Sequence, residues 1–377
     1  MKVLHVYSGN LFGGVETLLV TLAQQRSLCP QMQPHFALCF EGRLAEEIRA
    51  TGLDVHRLGE VRFSQPWTVW RARQRLCQVI QKTLPDAVIC HECWAHCLAG
   101  PVVRQRRLPL VFWMHGLAIS NRWYEGLARR TPPDLVLVNS HYTAKTLPAR
   151  FPGQTGYVIY VPVAPPPILT NPPTARTRVR EELETGQDAA VILMTSRMTP
   201  YKGHLLLLEA LGRLQTLPGW ILWMTGAPQQ PIEHDYFVKL KATASEIGIS
   251  EQVRFLGERS DVASLLMASD IHCQPNIGPE PFGITFIEAL YAGLPVVSTQ
   301  IGGAVEIITQ SCGVLVPPDD PVALAEALAG LIKDPDVRSQ LGAAGPERAR
   351  QLCEPVKILG QLQEVLANVT HKQLVGL

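Results

Sequence analysis

VPVAPPPILTNPP, Val161 to Pro173, puts six prolines into thirteen residues. Proline lacks an amide hydrogen and holds φ near −65°, so the stretch suits neither a helix interior nor a central strand. It reads as a stiff linker. On its N-terminal side, short apolar runs alternate with amphipathic stretches. KVLHVYS (2–8), HFALCF (35–40), DAVIC (86–90), PLVFWMH (109–115), DLVLVN (134–139) and GYVIYV (156–161) read as strands, with helical patterns such as VETLLVTLAQQR (15–26) between most of them. Beyond the linker the alternation restarts, with AAVILMTS (189–196), WILWMTG (220–226), VRFLG (253–257), DIHCQP (270–275), LPVVST (294–299) and GVLVP (313–317) as strands. Runs this apolar, spaced by helices, imply parallel sheets covered on both faces. The expected architecture is α/β: two doubly wound domains, residues 1–165 and 166–355, with a cleft between them. Ligands bind such sheets outside the carboxyl ends of the strands.

A chain of 377 residues, 46% hydrophobic and 18% charged, is large enough for two such cores. No apolar run approaches the ~20 residues of a membrane span. KVLHVYS is too short for a secretory signal, so the cytoplasm is the expected location. Nine cysteines spread irregularly do not suggest a disulfide framework. The net charge of +1 conceals a division. Through residue 165 there are 18 Lys and Arg against 10 Asp and Glu, or +8; the remainder has 16 against 23, or −7. Arg71, Arg73, Arg75, Arg104, Arg106, Arg107, Arg129 and Arg130 supply much of the excess. That pattern fits an acidic partner, such as a phosphorylated acceptor, an anionic membrane surface or an acidic glycan. It also fits a solvated basic surface facing an acidic neighbouring domain. No nucleic-acid partner is expected.

Four clusters fall at strand ends. SGNLFGGVET (8–17) joins the first strand to the first helix; Gly13 and Gly14 let backbone N–H groups approach an anion there, although a plain tight turn explains them equally. PLVFW delivers His115, beside Gly116, as a catalytic or ligand-binding candidate. SRMTPYKGH (196–204) brackets a turn with Arg197 and Lys202, two cations suited to a phosphate or pyrophosphate. In EPFGITFIEAL (280–290) the helix pattern starts near Gly283. The N–H groups of Gly283, Ile284 and Thr285 are therefore free donors, a phosphate cradle after Phe282. Glu288 lies about 7–8 Å along that helix at 1.5 Å per residue, with Glu280 on the other side of its start. Retaining glycoside hydrolysis needs carboxylates only about 5 Å apart. This spacing suits two acceptors gripping hydroxyls at opposite ends of a nucleotide sugar.

Gly13–Gly14, His115, Asn139–Ser140, Arg197 with Lys202, and EPFGITFIEAL running into GLPVVSTQIGGAVEII (293–308) resemble retaining glycosyltransferases of family 4, with the GT-B fold. GVLVPPDD (313–320) and the ALAEAL helix fit the same pattern, and the resemblance covers nearly the whole chain. It implies transfer of a hexose from a nucleotide-diphosphate sugar to a glycan or lipid-linked acceptor, in cell-surface polysaccharide or glycolipid synthesis. His115 and Glu280 would be the catalytic residues, His115 beside the reacting sugar and Glu280 on its hydroxyls. Glu288 would hold the ribose. Arg197, Lys202 and the amides after Phe282 would hold the pyrophosphate, with Gly13–Gly14 as a further donor contact. The helix from 356 to 377 would return to the first domain. No cofactor and no metal are expected, and peripheral contact with an anionic inner membrane face is. YVPVAPPP (160–167) replaces the family's Asn-Gly turn, and APQQ (227–230) follows Gly226 where a second glycine is common. A nucleotide-sugar epimerase and a silent binding protein of the same fold are the alternatives.

Two signals invite metal readings. CHECWAHC (90–97) packs three cysteines and two histidines into eight residues, but lacks the separate second ligand pair of zinc motifs. It is expected to be structural, with Cys93 and Cys97 on one helix face. DPD (334–336) reads as a helix-capping turn.

Overall fold

The computed structural model describes residues 1–9, 13–118, 123–166 and 172–375. The chain falls into two compact units, Met1–Ala164 with Cys353–Leu377, and Pro165–Leu352. Residues 167–171 of the proline-rich stretch, 10–12 of the first glycine loop and 119–122 after His115 lie outside the described residues.

The first unit holds β1 (Lys2–Tyr7), β2 (Gln33–Leu38), β3 (Val55–Arg57), β4 (Ala87–His91), β5 (Leu110–Met114), β6 (Leu135–Val138) and β7 (Gly156–Val158). They pair in parallel, in the order β3-β2-β1-β4-β5-β6-β7. Burial in β4 and β5 is continuous rather than alternating, because helices cover both faces. Leu4, Val6 and Val88 pack with Leu76 and Leu98; farther along the same face Phe112, Met114 and Val136 pack with Cys93, Cys97 and Phe151. The last helix, Pro355–Val375, belongs to this unit, packs against the short turn Arg26–Leu28 and buries Ile358, Leu359, Leu362 and Leu366. Val163 donates its N–H to the Cys353 carbonyl at 3.0 Å and ties the two stretches together.

The second unit holds β8 (Ala190–Thr195), β9 (Trp220–Thr225), β10 (Val253–Gly257), β11 (Ile271–Gln274), β12 (Val296–Thr299) and β13 (Gly313–Val316). This sheet is also parallel, ordered β10-β9-β8-β11-β12-β13. Both sheets reverse direction beside their first strand, between β1 and β4 and between β8 and β11. At such a reversal the flanking loops leave on opposite faces and open a crevice at the carboxyl edge.

Two sequence expectations need correction. The helix Pro172–Glu182 begins inside the proline-rich stretch, since proline is tolerated in a first turn where its missing N–H has no partner to lose. It is fixed by Arg180, which is fully buried and donates to the carbonyls of Gly186, Gln187, Ala189 and Ala268 and to Asp270 at 2.6–3.0 Å. The second is β3, whose residues Val-His-Arg carry no apolar run and are found only by pairing with β2. Asp334 accepts from the N–H groups of Asp336 and Val337, both at 3.0 Å, as a helix cap.

Gly203 has φ +82°, and a Cβ there would run into the Pro275 carbonyl. Gly203→Ala is expected to destabilise the second unit by about 2–4 kcal/mol through left-handed strain plus collision. A shift in the unfolding midpoint, measured by calorimetry, checks this.

Candidate functional site

The residues singled out from sequence fall into two groups, one in each unit, and each group lies at the carboxyl edge of its sheet.

In the second unit, β8 ends at Thr195 and is followed by Ser196 and Arg197. The turn Pro200–Lys202 then brings Lys202 to an ion pair with Glu280. Burial by itself would lower the Lys202 ammonium, but the facing carboxylate outweighs it and holds the group protonated. Its Nζ also lies 5.2 Å from the centre of the Tyr201 ring. Arg197 is not a free cation either: its Nη2 donates at 2.7 Å to Glu233, which is 3% exposed. Burial opposes ionisation of Glu233, but the Gln229 N–H at 2.6 Å and the guanidinium hold its carboxyl below the usual range. The sequence named the two cations without their partners. Each has a carboxylate partner, and Glu233 was missed because it sits in an ordinary first helical turn, PIEHDYF, with no sequence signal.

The segment Glu280–Phe282 is shaped by two glycines. Gly303 donates its N–H to the Glu280 carbonyl at 2.7 Å, and a Cβ on Gly302 or Gly303 would collide with the Glu280 or Phe282 main chain. Phe282 is buried, and Gly283, with φ +108°, starts the helix Ile284–Tyr291 in the left-handed region open to glycine. The N–H groups of Gly283, Ile284 and Thr285 precede any intrahelical partner. Thr285 donates from Oγ1 to Gln274 at 3.4 Å, and Gln274 donates to Asn276 Oδ1 at 2.9 Å, both amides lying at the β11 end beside the sheet reversal. Glu288 is the fifth residue of the helix, partly exposed among apolar neighbours, and burial pushes its carboxyl up to about 7.

In the first unit, His115 follows β5 and is 8% exposed. It belongs to a chain of three imidazoles. His91 Nδ1 lies 2.9 Å from His115 Nε2, and His5 Nδ1 lies 2.9 Å from His91 Nε2. Burial lowers all three, His5 and His115 to about 3 and His91 well below its usual value, so all are neutral near pH 7. The turn after β5 is pinned by Glu92, whose Oε1 accepts from the N–H groups of His115 at 2.7 Å and Gly116 at 2.6 Å. Glu92 has φ +68°, unusual for a side chain with a Cβ and costing about 1–3 kcal/mol. Buried Arg150 reaches Glu92 at 3.4 Å and Glu125 at 2.9 Å. Asn139 donates to the His115 carbonyl at 2.9 Å, while Ser140 caps the following helix through the Thr143 N–H. A cavity of about 500 Å³ opens here, lined among others by Tyr7, His91, Glu92, Gly116 and Arg150. Gly13 precedes the helix Gly14–Gln24 in an extended conformation, φ −172°, that any residue adopts. Conformation alone therefore does not require glycine at 13, and a Cβ there would make only ordinary contact with Glu16 at 3.7 Å.

The cysteine-histidine run divides among separate surroundings. His91 joins the imidazole chain, His96 faces the Thr131 carbonyl at 2.7 Å, and Cys97 donates to the Tyr124 carbonyl at 2.9 Å. Burial pushes the Cys93 and Cys97 thiols up to about 12. Among the described residues no group of three or more His, Cys, Asp and Glu side chains is placed to hold a metal ion.

The basic surplus is partly structural. Arg73 donates to the Cys97 and Leu98 carbonyls, Arg104 pairs with Asp134, and Arg129 holds the Ala149 and Arg150 carbonyls. Arg57, Arg71 and Arg75 line a second cavity, of about 560 Å³, although Arg75 also donates to the Leu58 carbonyl at 3.1 Å and Arg57 lies 3.9 Å from Glu41. Trp67 and Trp70 stand on the same helix, Pro66–Thr83, and are 57% and 62% exposed.

A family model described as Glycosyltransferase Family 4 matches residues 12–205, more than half the chain, and one described as Glycosyl transferases group 1 matches residues 175–348. The chain belongs to glycosyltransferase family 4. Over 156 residues it is 35% identical to the phosphatidyl-myo-inositol mannosyltransferase of Mycobacterium leprae, covering 40% of this chain and 39% of the relative. It is 28% identical over 266 residues to the D-inositol 3-phosphate glycosyltransferase of Corynebacterium efficiens, covering 65% and 62%. The chain thus spans less than two thirds of the length of these relatives. The crystal structure of Anabaena HepE with UDP-glucose matches 98% of this chain and 100% of its own, with TM-score 0.86 and 23% identity. The likeness is one of fold, and the fold is GT-B. No helix among the described residues is long and apolar enough to cross a membrane.

A native state that keeps the Glu288 proton, which the unfolded chain sheds near 4.5, loses stability as pH rises from about 4.5 to about 7. Glu288→Gln should remove that dependence. The variant should gain on the wild type by roughly 2 kcal/mol across this window, allowing for partial exposure. Thermal midpoints of the two proteins measured at pH 4.5, 6 and 7.5 test it.

Proposed function

We propose that the protein is a retaining glycosyltransferase that moves a hexose from a nucleotide-diphosphate sugar to a glycan or lipid-linked acceptor, in cell-surface polysaccharide or glycolipid synthesis. The observation that carries this is the Lys202–Glu280 pair beside the start of the helix Ile284–Tyr291. A protonated amine, a carboxylate and the free N–H groups of a helix start converge there, the set needed to grip a sugar hydroxyl and an adjoining diphosphate. Glu280 would accept from donor-sugar hydroxyls and Glu288 from the ribose. Lys202 and Arg197 would stabilise the negative charge on the departing nucleoside diphosphate, with the amides from Gly283 to Thr285 completing the cradle. No metal or other cofactor is invoked. The bond from the anomeric carbon to the phosphate breaks while the acceptor oxygen bonds to the same face, and the acceptor's proton passes to the departing phosphate oxygen. His115 would lie beside the reacting sugar, and Gly13 and Gly14 would leave room for the donor.

Incubation with a panel of UDP-, GDP- and ADP-sugars in EDTA, with acceptor lipid extracts, should release nucleotide from one donor. Glu280→Ala should abolish release, and Lys202→Ala should lower turnover by roughly 10²–10³. Undiminished turnover in Lys202→Ala would refute the phosphate role.

The acceptor reading rests on the first unit. The inositol acceptors for which the mycobacterial and corynebacterial relatives are named carry a phosphate. Here Arg57, Arg71 and Arg75 border a cavity beside two exposed indoles, a combination suited to an anionic membrane surface with tryptophans at headgroup depth. The protein would then work from the cytoplasm, peripherally at the inner membrane face. Trp67→Ala combined with Trp70→Ala should reduce co-sedimentation with phosphatidylglycerol vesicles at least tenfold. Equal binding of wild type to phosphatidylcholine vesicles would count against the anionic requirement.

A further inference from the structure

The imidazole chain of the first unit has a direction. Its two links join three neutral rings, so each ring carries one N–H. Both links can form in only two ways. Either every ring is protonated on Nδ1, with His5 donating to His91 and His91 to His115, or every ring is protonated on Nε2 and the donors run the other way. Any mixed arrangement sets hydrogen against hydrogen, or lone pair against lone pair, at one link.

The two arrangements differ at the ends. At the deep end His5 is 1% exposed, its ring stacks on Phe36 with centroids 5.4 Å apart, and its Nε2 is buried without a partner. The Nε2 arrangement would strand an N–H at this point. An orphaned buried N–H is rarer in folded proteins than an under-used acceptor, and a stranded donor costs about 1–3 kcal/mol. The Nδ1 arrangement leaves only an unused lone pair. At the outer end His115 is 8% exposed, and its Nδ1 has no hydrogen-bond partner among the described residues. A proton there is free to meet a ligand oxygen.

We infer that His5 and His91 are positioning residues that hold His115 as the Nδ1–H tautomer, so that it presents a hydrogen-bond donor at the carboxyl edge of the first sheet. The chain ends in the apolar core rather than at water, so it orients a proton and does not conduct one. His115 therefore donates to an oxygen of the bound ligand, a sugar hydroxyl or a phosphate, and is not available as a general base through Nδ1. Neither His5 nor His91 touches that ligand through this donor; both act through His115. The functional consequence rests on the transferase reading above, whereas the tautomer does not.

The test is nitrogen NMR of the full chain labelled with ¹⁵N-histidine, with the His115 signals assigned by their loss in His115→Gln. The expected result is a protonated Nδ1 and bare Nε2 on His115 in the wild type, unchanged between pH 5 and 8. His5→Leu, which cannot donate, should release the bias and yield a mixture of tautomers. His5→Asn, whose amide nitrogen can stand where Nδ1 stood, should restore it. In the nucleotide-release assay His5→Leu should raise the donor KM several-fold, and His5→Asn should return it toward the wild-type value. A protonated Nε2 on wild-type His115 overturns the inference without any variant. A His115 tautomer unaffected in folded His5→Leu overturns the role of His5. If the tautomer is as expected but no donor is turned over, the positioning stands and the transferase reading fails.

Discussion

Strands paired in parallel cannot be joined by a tight turn, and this constraint shapes the rest of the molecule. Each strand must be followed by a crossover, so every loop that leaves a strand gathers on one edge of its sheet. Where strand order reverses, beside β1 in one unit and β8 in the other, neighbouring loops diverge. Those are the points at which His91, Glu92, Arg197 and Asn276 stand. Polar groups that a double-sided apolar core excludes collect there, and where they are buried, as His91 and Asn276 are, hydrogen bonds to other side chains stand in for water.

Charge at these edges is held in pairs. Arg197 with Glu233, Lys202 with Glu280 and Arg150 with Glu92 and Glu125 all bring cation and carboxylate together where water is scarce. Such pairs contribute little net stability, because the Coulomb gain is offset by loss of hydration, but removing one partner strands the other. Their value lies in geometry. Lys202 arrives at the helix start already protonated and already aimed, and Glu92 holds two successive N–H groups after β5 at the expense of a strained backbone. Rigid placement of this kind lowers the reorganisation needed when a charged ligand binds.

What could be read from sequence follows the same physics. Continuous apolar runs between amphipathic stretches disclose parallel strands, and a glycine before ITFIEAL discloses a helix start, because both signals are local. β3 escaped notice since three residues at a sheet edge need no apolar run. The second proline of a Pro-Pro pair looked like a barrier when it was a first turn. Glu233, Glu92 and Arg150 were illegible for a different reason: their partners lie on other elements, at separations fixed by the sheet and not by spacing. The same holds for His5. In KVLHVY it passes for one more residue of a buried strand, and only parallel pairing of β1 with β4, and of β4 with β5, brings it into line with His91 and His115.

The first unit is assembled from two stretches separated by the whole of the second. A ribosome adding roughly 5–20 residues per second would release Met1–Ala164 some ten to forty seconds before the helix Pro355–Val375 could join it. During that interval the apolar seat of Ile358, Leu359, Leu362 and Leu366 stays uncovered, and the Val163 N–H lacks the Cys353 carbonyl. The second unit, continuous in sequence, can close as soon as its last helix emerges. Closure of the first unit therefore waits on synthesis of the second, and the incomplete first unit is the species a holdase chaperone would meet.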